Sequence, residues 1–140
     1  MTVSGSGFTG LFEHVARASG WASPPTPAQA IDAWEGFVEE CERGYEFDFS
    51  EYLNGLSTRT LLQVVIDDAG RRGETAPVYE SLVRRVGVLD DRFRTLLDEG
   101  VLVRPRSARW WERSIPAHGA PDFVEDVRAR YSVELRTVET

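Results

Sequence analysis

Lysine is absent from this 140-residue chain, and its 16 positive side chains are all arginine. Arginine codons are GC-rich, so the bias reads as a mark of the coding sequence and carries no functional weight. The single cysteine, Cys41, excludes an internal disulfide and a thiolate zinc cluster. Only two histidines, His14 and His118, are present, too little material for an all-protein transition-metal site. A ferritin-like carboxylate site is excluded because neither histidine has a glutamate three residues before it. No Asp/Asn-rich loop with a central glycine and a closing glutamate occurs, so no EF-hand is expected. The phosphate-binding patterns GxxxxGK[ST] and GxGxxG and the GxSxG nucleophile elbow are missing too. The expectation is therefore no cofactor, no metal and no enzyme activity of a familiar type.

Long apolar runs are also missing. None approaches the roughly 18 residues that span a bilayer, and the start, MTVSGSGFTGLFEHV, lacks the basic and apolar segments of a secretory signal. A cytoplasmic location without membrane contact is expected.

What is present is ordinary globular composition with an acidic balance. The chain is 41% hydrophobic and 28% charged, with a net charge of −7. Its length suits one domain, 1–140. The negative balance argues against nucleic acid as the main partner, since phosphate binding rests on clustered positive charge.

Apolar spacing and chain-breaking residues predict an all-α, irregular bundle of five to six helices, with one short extended segment possible. Residues 1–7, rich in Gly and Ser, are expected to be frayed. Leu11, Phe12, Val15 and Ala16 mark a first helix stopped at Gly20. Thr26, Pro27 and Gln29 form a capping box with proline at the first helical position, and Gly44 closes that helix after Arg43. Ile31, Trp34, Val38 and Cys41 make its buried stripe. Residues 45–52 are expected to be a loop leading to a short helix that ends near Gly55, and Ser57 to cap a separate helix stopped at Gly70. Leu82, Val86, Leu89, Phe93 and Leu96 predict the longest helix, about 76–98, capped near Thr75 and closed by Gly100. Val101–Val103 reads as a short extended piece, Ser107 as the cap of a turn bearing Trp110 and Trp111, and Pro121 as the start of a last helix. Val133 and Leu135 belong to an extended tail pinned to the core.

Two clusters carry functional interest. Between Glu35 and Glu51 lie seven carboxylates, Glu35, Glu39, Glu40, Glu42, Glu46, Asp48 and Glu51, against one cation, Arg43. Like charges at helical spacing and acids in a helix's last turn cost on the order of 1–2 kcal/mol together, noticeable in a domain stable by about 5–15. This pattern points to a docking surface for a basic partner protein. Its predicted members are Glu35, Glu39, Glu42, Tyr45, Glu46, Asp48, Glu51 and Tyr52. By charge and size, the concrete form expected is an immunity-type or antitoxin-like inhibitor of a toxic enzyme; the plain alternative is a solvated acidic face. The second cluster is Arg104, Arg106, Arg109, Trp110, Trp111 and Arg113. It suits a scaffold-type protein interface or single-stranded nucleic acid. Its plain alternative has one tryptophan packed inward and the arginines neutralising acids on other helices. Cys41, on an apolar stripe among acids, is expected to be a packed structural thiol. An unfamiliar enzyme would have only His14 and His118 as obvious proton carriers.

Overall fold

The computed structural model describes residues 5–138. Among them the chain forms α1 (Gly5–Ala18), α2 (Pro27–Arg43), α3 (Phe49–Arg71), α4 (Pro77–Arg94), α5 (Trp110–Arg113), β1 (His118–Gly119), α6 (Pro121–Tyr131) and β2 (Arg136–Thr137). The fold is mainly helical, as expected, with one very short parallel sheet. No helix is long and apolar enough to cross a membrane. Of the stretch expected to fray, residues 1–4 lie outside the described residues, whereas Gly5, Ser6 and Gly7 form the start of α1.

Local signals set α2 completely. The Thr26 hydroxyl accepts from the Gln29 N–H at 3.1 Å, and the Gln29 side chain accepts from the Thr26 N–H at 2.9 Å. Gly44 ends the helix at φ +107°, a conformation open to glycine at little cost. The stripe of Ile31, Trp34, Val38 and Cys41 is buried.

Residues 45–71 depart from expectation. Asp48 caps α3 by accepting from the Glu51 N–H at 2.9 Å, and the helix runs unbroken through both Gly55 and Ser57. Ser57 does not cap; its hydroxyl donates back to the Asn54 carbonyl oxygen within the helix. Gly55 does not stop the helix. It lets the Phe37 ring of α2 lie against the α3 backbone, in space that any Cβ would occupy.

α4 begins one residue later than Thr75 implied. The Glu74 carboxylate accepts from the N–H groups of Thr75 and Ala76, at 2.9 and 2.8 Å. It also ends at Arg94 rather than near 98. There, backbone bonds to another segment replace helical ones: Asp98 N–H to the Ile115 carbonyl at 3.0 Å, and Ala117 N–H to the Leu96 carbonyl at 2.9 Å. Val103 donates to the Arg113 carbonyl at 2.8 Å, tying the 95–109 connection to α5. The start of α5 has no side-chain cap, so Ser107 does not serve as one. The tail is pinned as expected: Leu135 is buried, and β2 pairs in parallel with β1 through His118 with Arg136 and Gly119 with Thr137.

One core joins the long helices. Phe37 is ringed by Trp34, Tyr45, Tyr52 and Phe93 at centroid distances of 5.4–5.9 Å. Set in this apolar interior is a buried ion pair. Arg59 of α3 grips Asp90 of α4 through two bonds, at 2.9 and 2.8 Å. Asp90 also accepts from the Trp34 indole of α2 at 3.2 Å. Arg59 lies 4.2 Å from the ring centre of Trp111 in α5, whose indole donates to the Thr60 hydroxyl at 3.1 Å.

Asp90→Ala is expected to lower unfolding stability by about 3–5 kcal/mol in urea titration, because it leaves the Arg59 charge buried and unpaired. The double variant Arg59→Met/Asp90→Leu should recover most of that loss. Gly55→Ala, which stabilises an ordinary exposed helix position by up to about 1 kcal/mol, should here destabilise by about 1–3 kcal/mol as the methyl displaces the Phe37 ring.

Candidate partner-docking site

The acidic segment occupies the second half of α2, the turn after it and the start of α3. Its carboxylates do not share one fate. Glu35 and Glu42 point across to α4, where Arg85 stands 3.5 Å from Glu35 and Arg92 binds both Glu42 oxygens, one of them at 3.1 Å. Asp32 shares Arg85 at 3.6 Å. The hydrogen bonds from Arg92 hold the Glu42 carboxyl below its ordinary range. These two members of the expected docking stripe are engaged within the fold.

Tyr45 and Tyr52 are not surface residues either. They are 3% and 1% exposed, packed at tilted or edge-on angles against Phe37 and Phe123. Burial, and behind it the charge of Glu40, pushes the Tyr45 phenol above its ordinary range; burial does the same for Tyr52. Both were expected to meet a partner, and the core claims them instead. The turn carries Tyr45 and Phe49 inward and Phe47 outward.

What remains outside is a smaller surface. Glu39, Glu40, Glu46 and Glu51 form no ion pair with any described cation. Asp48 stands exposed as the cap of α3. Amid them Phe47 is 53% exposed, a residue the sequence reading passed over as a contact. A groove of about 450 Å³ runs between α2 and α3, with Gly36 and Gly55 as small lining residues and Glu40, Phe47 and Glu51 along it. A hollow of about 140 Å³ on the other side of Phe47 is lined by Glu40, Arg43 and Glu46. Small residues make the groove, and carboxylates line it around one exposed aromatic ring.

α6 braces this corner from behind. Asp126 accepts from the Phe49 N–H at 2.7 Å and from Arg130 at 3.1 Å, and the first of these contacts is the chief reason its carboxyl is held below the ordinary range. Ala120 donates to the Tyr45 carbonyl at 3.0 Å. His118 turns its ring to the Glu42 carbonyl oxygen, 3.3 Å away, and is itself buried. Its nearest recorded partner is thus backbone and not a carboxylate, while His14 sits exposed on α1. Cys41 is buried, and burial together with Glu40 and Glu42 pushes its thiol well above the ordinary range. Among the described residues no group of three or more His, Cys, Asp or Glu is arranged to hold a metal.

The second cluster is divided as well. Trp111 is 2% exposed and belongs to the core, so it cannot be a contact residue. Trp110 is half-buried, with the Arg94 guanidinium 4.0 Å from its ring centre. Arg104, Arg106, Arg109 and Arg113 reach no carboxylate among the described residues. The simple idea that they neutralise acids on other helices therefore does not hold.

Compared with known proteins, the chain matches no family model, no curated protein and no solved structure.

Asp126, Glu42 and Asp68 all have carboxyl pKa values lowered in the folded state. A lowered folded-state value adds stability above the unfolded carboxylate range and loses it as pH falls through the folded value. Urea midpoints should therefore be flat near neutrality and decline below about pH 4. Asp126→Asn should shallow that decline, while lowering stability at neutral pH.

Proposed function

We propose that this chain is a small protein-binding module that docks a positively charged partner protein through the corner where α2 meets α3. The contact residues are Glu40, Glu46, Phe47, Asp48 and Glu51, with Glu39 at the edge. In its most concrete form, it is an immunity-type or antitoxin-like inhibitor covering the basic active site of a toxic enzyme.

One observation carries the proposal: a half-exposed phenylalanine stands among carboxylates that form no ion pair among the described residues, beside a groove between two helices. An exposed aromatic ring is the kind of anchor that dominates binding energy. Uncompensated charge around it steers an oppositely charged partner and rejects like-charged ones. Arg85 and Arg92 pair with neighbouring acids on α2, whereas the carboxylates at the corner form no ion pair among the described residues.

The test is capture of partner from the chain's own host, followed by calorimetry with the purified partner. Glu40→Gln/Glu46→Gln/Glu51→Gln should weaken binding at least about tenfold and flatten its salt dependence, and Phe47→Ala should raise the dissociation rate. Glu35→Gln/Glu42→Gln should leave affinity nearly unchanged, because those acids face α4. If the two acidic variants weaken binding equally, or salt has no effect, the docking corner is wrong.

A further inference from the structure

We propose that the cavity between the 95–109 connection and α5 binds a small molecule carrying a phosphate or carboxylate group on an apolar or aromatic body. The cavity measures about 300 Å³ and is lined by Arg94, Arg106 and Arg113, with Trp110, Leu102 and Glu99. That volume lies at the lower end of small-molecule sites, about 300–1,000 Å³.

The charge balance is unusual for this chain. Three guanidiniums meet one lining carboxylate here, in a protein of net charge −7. Among the described residues Arg106 forms no ion pair, and the one side-chain bond of Arg113 goes to the Arg106 carbonyl oxygen at 3.3 Å. Arg94 stacks on Trp110 and reaches a carboxylate only in Asp91, at 3.7 Å on its exposed side. The site therefore holds guanidinium donors that no carboxylate among the described residues engages closely. Arginine's planar fork matches the oxygens of carboxylate and phosphate, and an anion between the guanidiniums would relieve their mutual repulsion.

Ser114, 5% exposed, lines the same cavity and adds a hydroxyl to its wall. Trp110 and Leu102, the latter 42% exposed, give an apolar wall for the body of the ligand. The walls are held in register by the backbone bonds from Val103 to Arg113 and from Asp98 to Ile115, so the cavity is preformed.

Isothermal titration calorimetry of the full chain at fixed ionic strength decides this, with phenyl phosphate, benzoate and inorganic phosphate as probes. Saturable one-site binding of phenyl phosphate or benzoate is expected; whichever binds tighter identifies the headgroup. Arg113→Gln and Arg106→Gln should each weaken it about tenfold, and Ser114→Ala measurably, with thermal melts near that of the parent. Arg71→Gln, remote from the cavity lining, should bind as the parent does. The proposal is overturned by an absence of saturable binding to both aryl probes, by equal weakening in Arg71→Gln, or by inorganic phosphate binding as tightly as phenyl phosphate.

Discussion

The Arg59–Asp90 pair sets which helix faces can meet. Two charges removed from water cost several kcal/mol each unless their partners are placed well. Here those partners come from four helices. Asp90 takes both Arg59 bonds and the Trp34 indole, while Arg59 is held further by Gln63 at 2.9 Å and faces the Trp111 ring. Sliding α3 against α4 by one turn would strand both charges. Rotating α2 would remove the indole donor from Asp90, and withdrawing α5 would uncover Arg59. The aromatic cluster around Phe37 gives cohesion without direction; the ion pair gives the direction.

That alignment also decides which acids on α2 remain free. Glu35 meets Arg85 and Glu42 meets Arg92, two contacts each offset by 50 residues. A constant offset means that α2 and α4 run parallel, with arginines seven residues apart answering glutamates seven residues apart. Two helical turns separate the rungs, so this face of α2 is consumed by the fold. Glu40, two residues before Glu42, lies round the helix on the side of α3 and lines the groove there. The acidic segment therefore contains two populations, and helix orientation sorts them.

Local chemistry made α2 legible to the residue, because its cap, its proline and its glycine all act within a few positions. The same kind of signal failed at Gly55 and Ser57. A glycine that stops a helix and one that admits a neighbour's ring look alike in sequence, and only the position of Phe37 separates them. The end of α4 was misplaced because backbone partners at Ile115 and Pro116 lie outside any local window. At the candidate site the excess of carboxylates could be counted, but their pairing depended on which helix faced α2. Arg59 and Asp90 passed unnoticed, although a signal existed. Each interrupts an apolar helical stripe, Arg59 between Leu56 and Leu62 and Asp90 between Val86 and Phe93, and their charges are opposite.

The arrangement of the remaining charge argues against a surface shaped by solubility alone. A surface serving only that end intersperses both signs, since mixing lowers self-repulsion. Here carboxylates with no ion pair among the described residues collect at the α2–α3 corner, and none of the four arginines of 104–113 reaches an acid among those residues. Composition leaves carboxylates in excess, 23 acids against 16 arginines, but it does not dictate where they gather or that these four arginines stay apart from them. Keeping them apart costs the isolated chain electrostatic energy, which an oppositely charged ligand at either surface would return. Two surfaces of opposite sign, each with an aromatic residue among its charges, are what the proposed ligands of opposite charge would require, and the core does not require them.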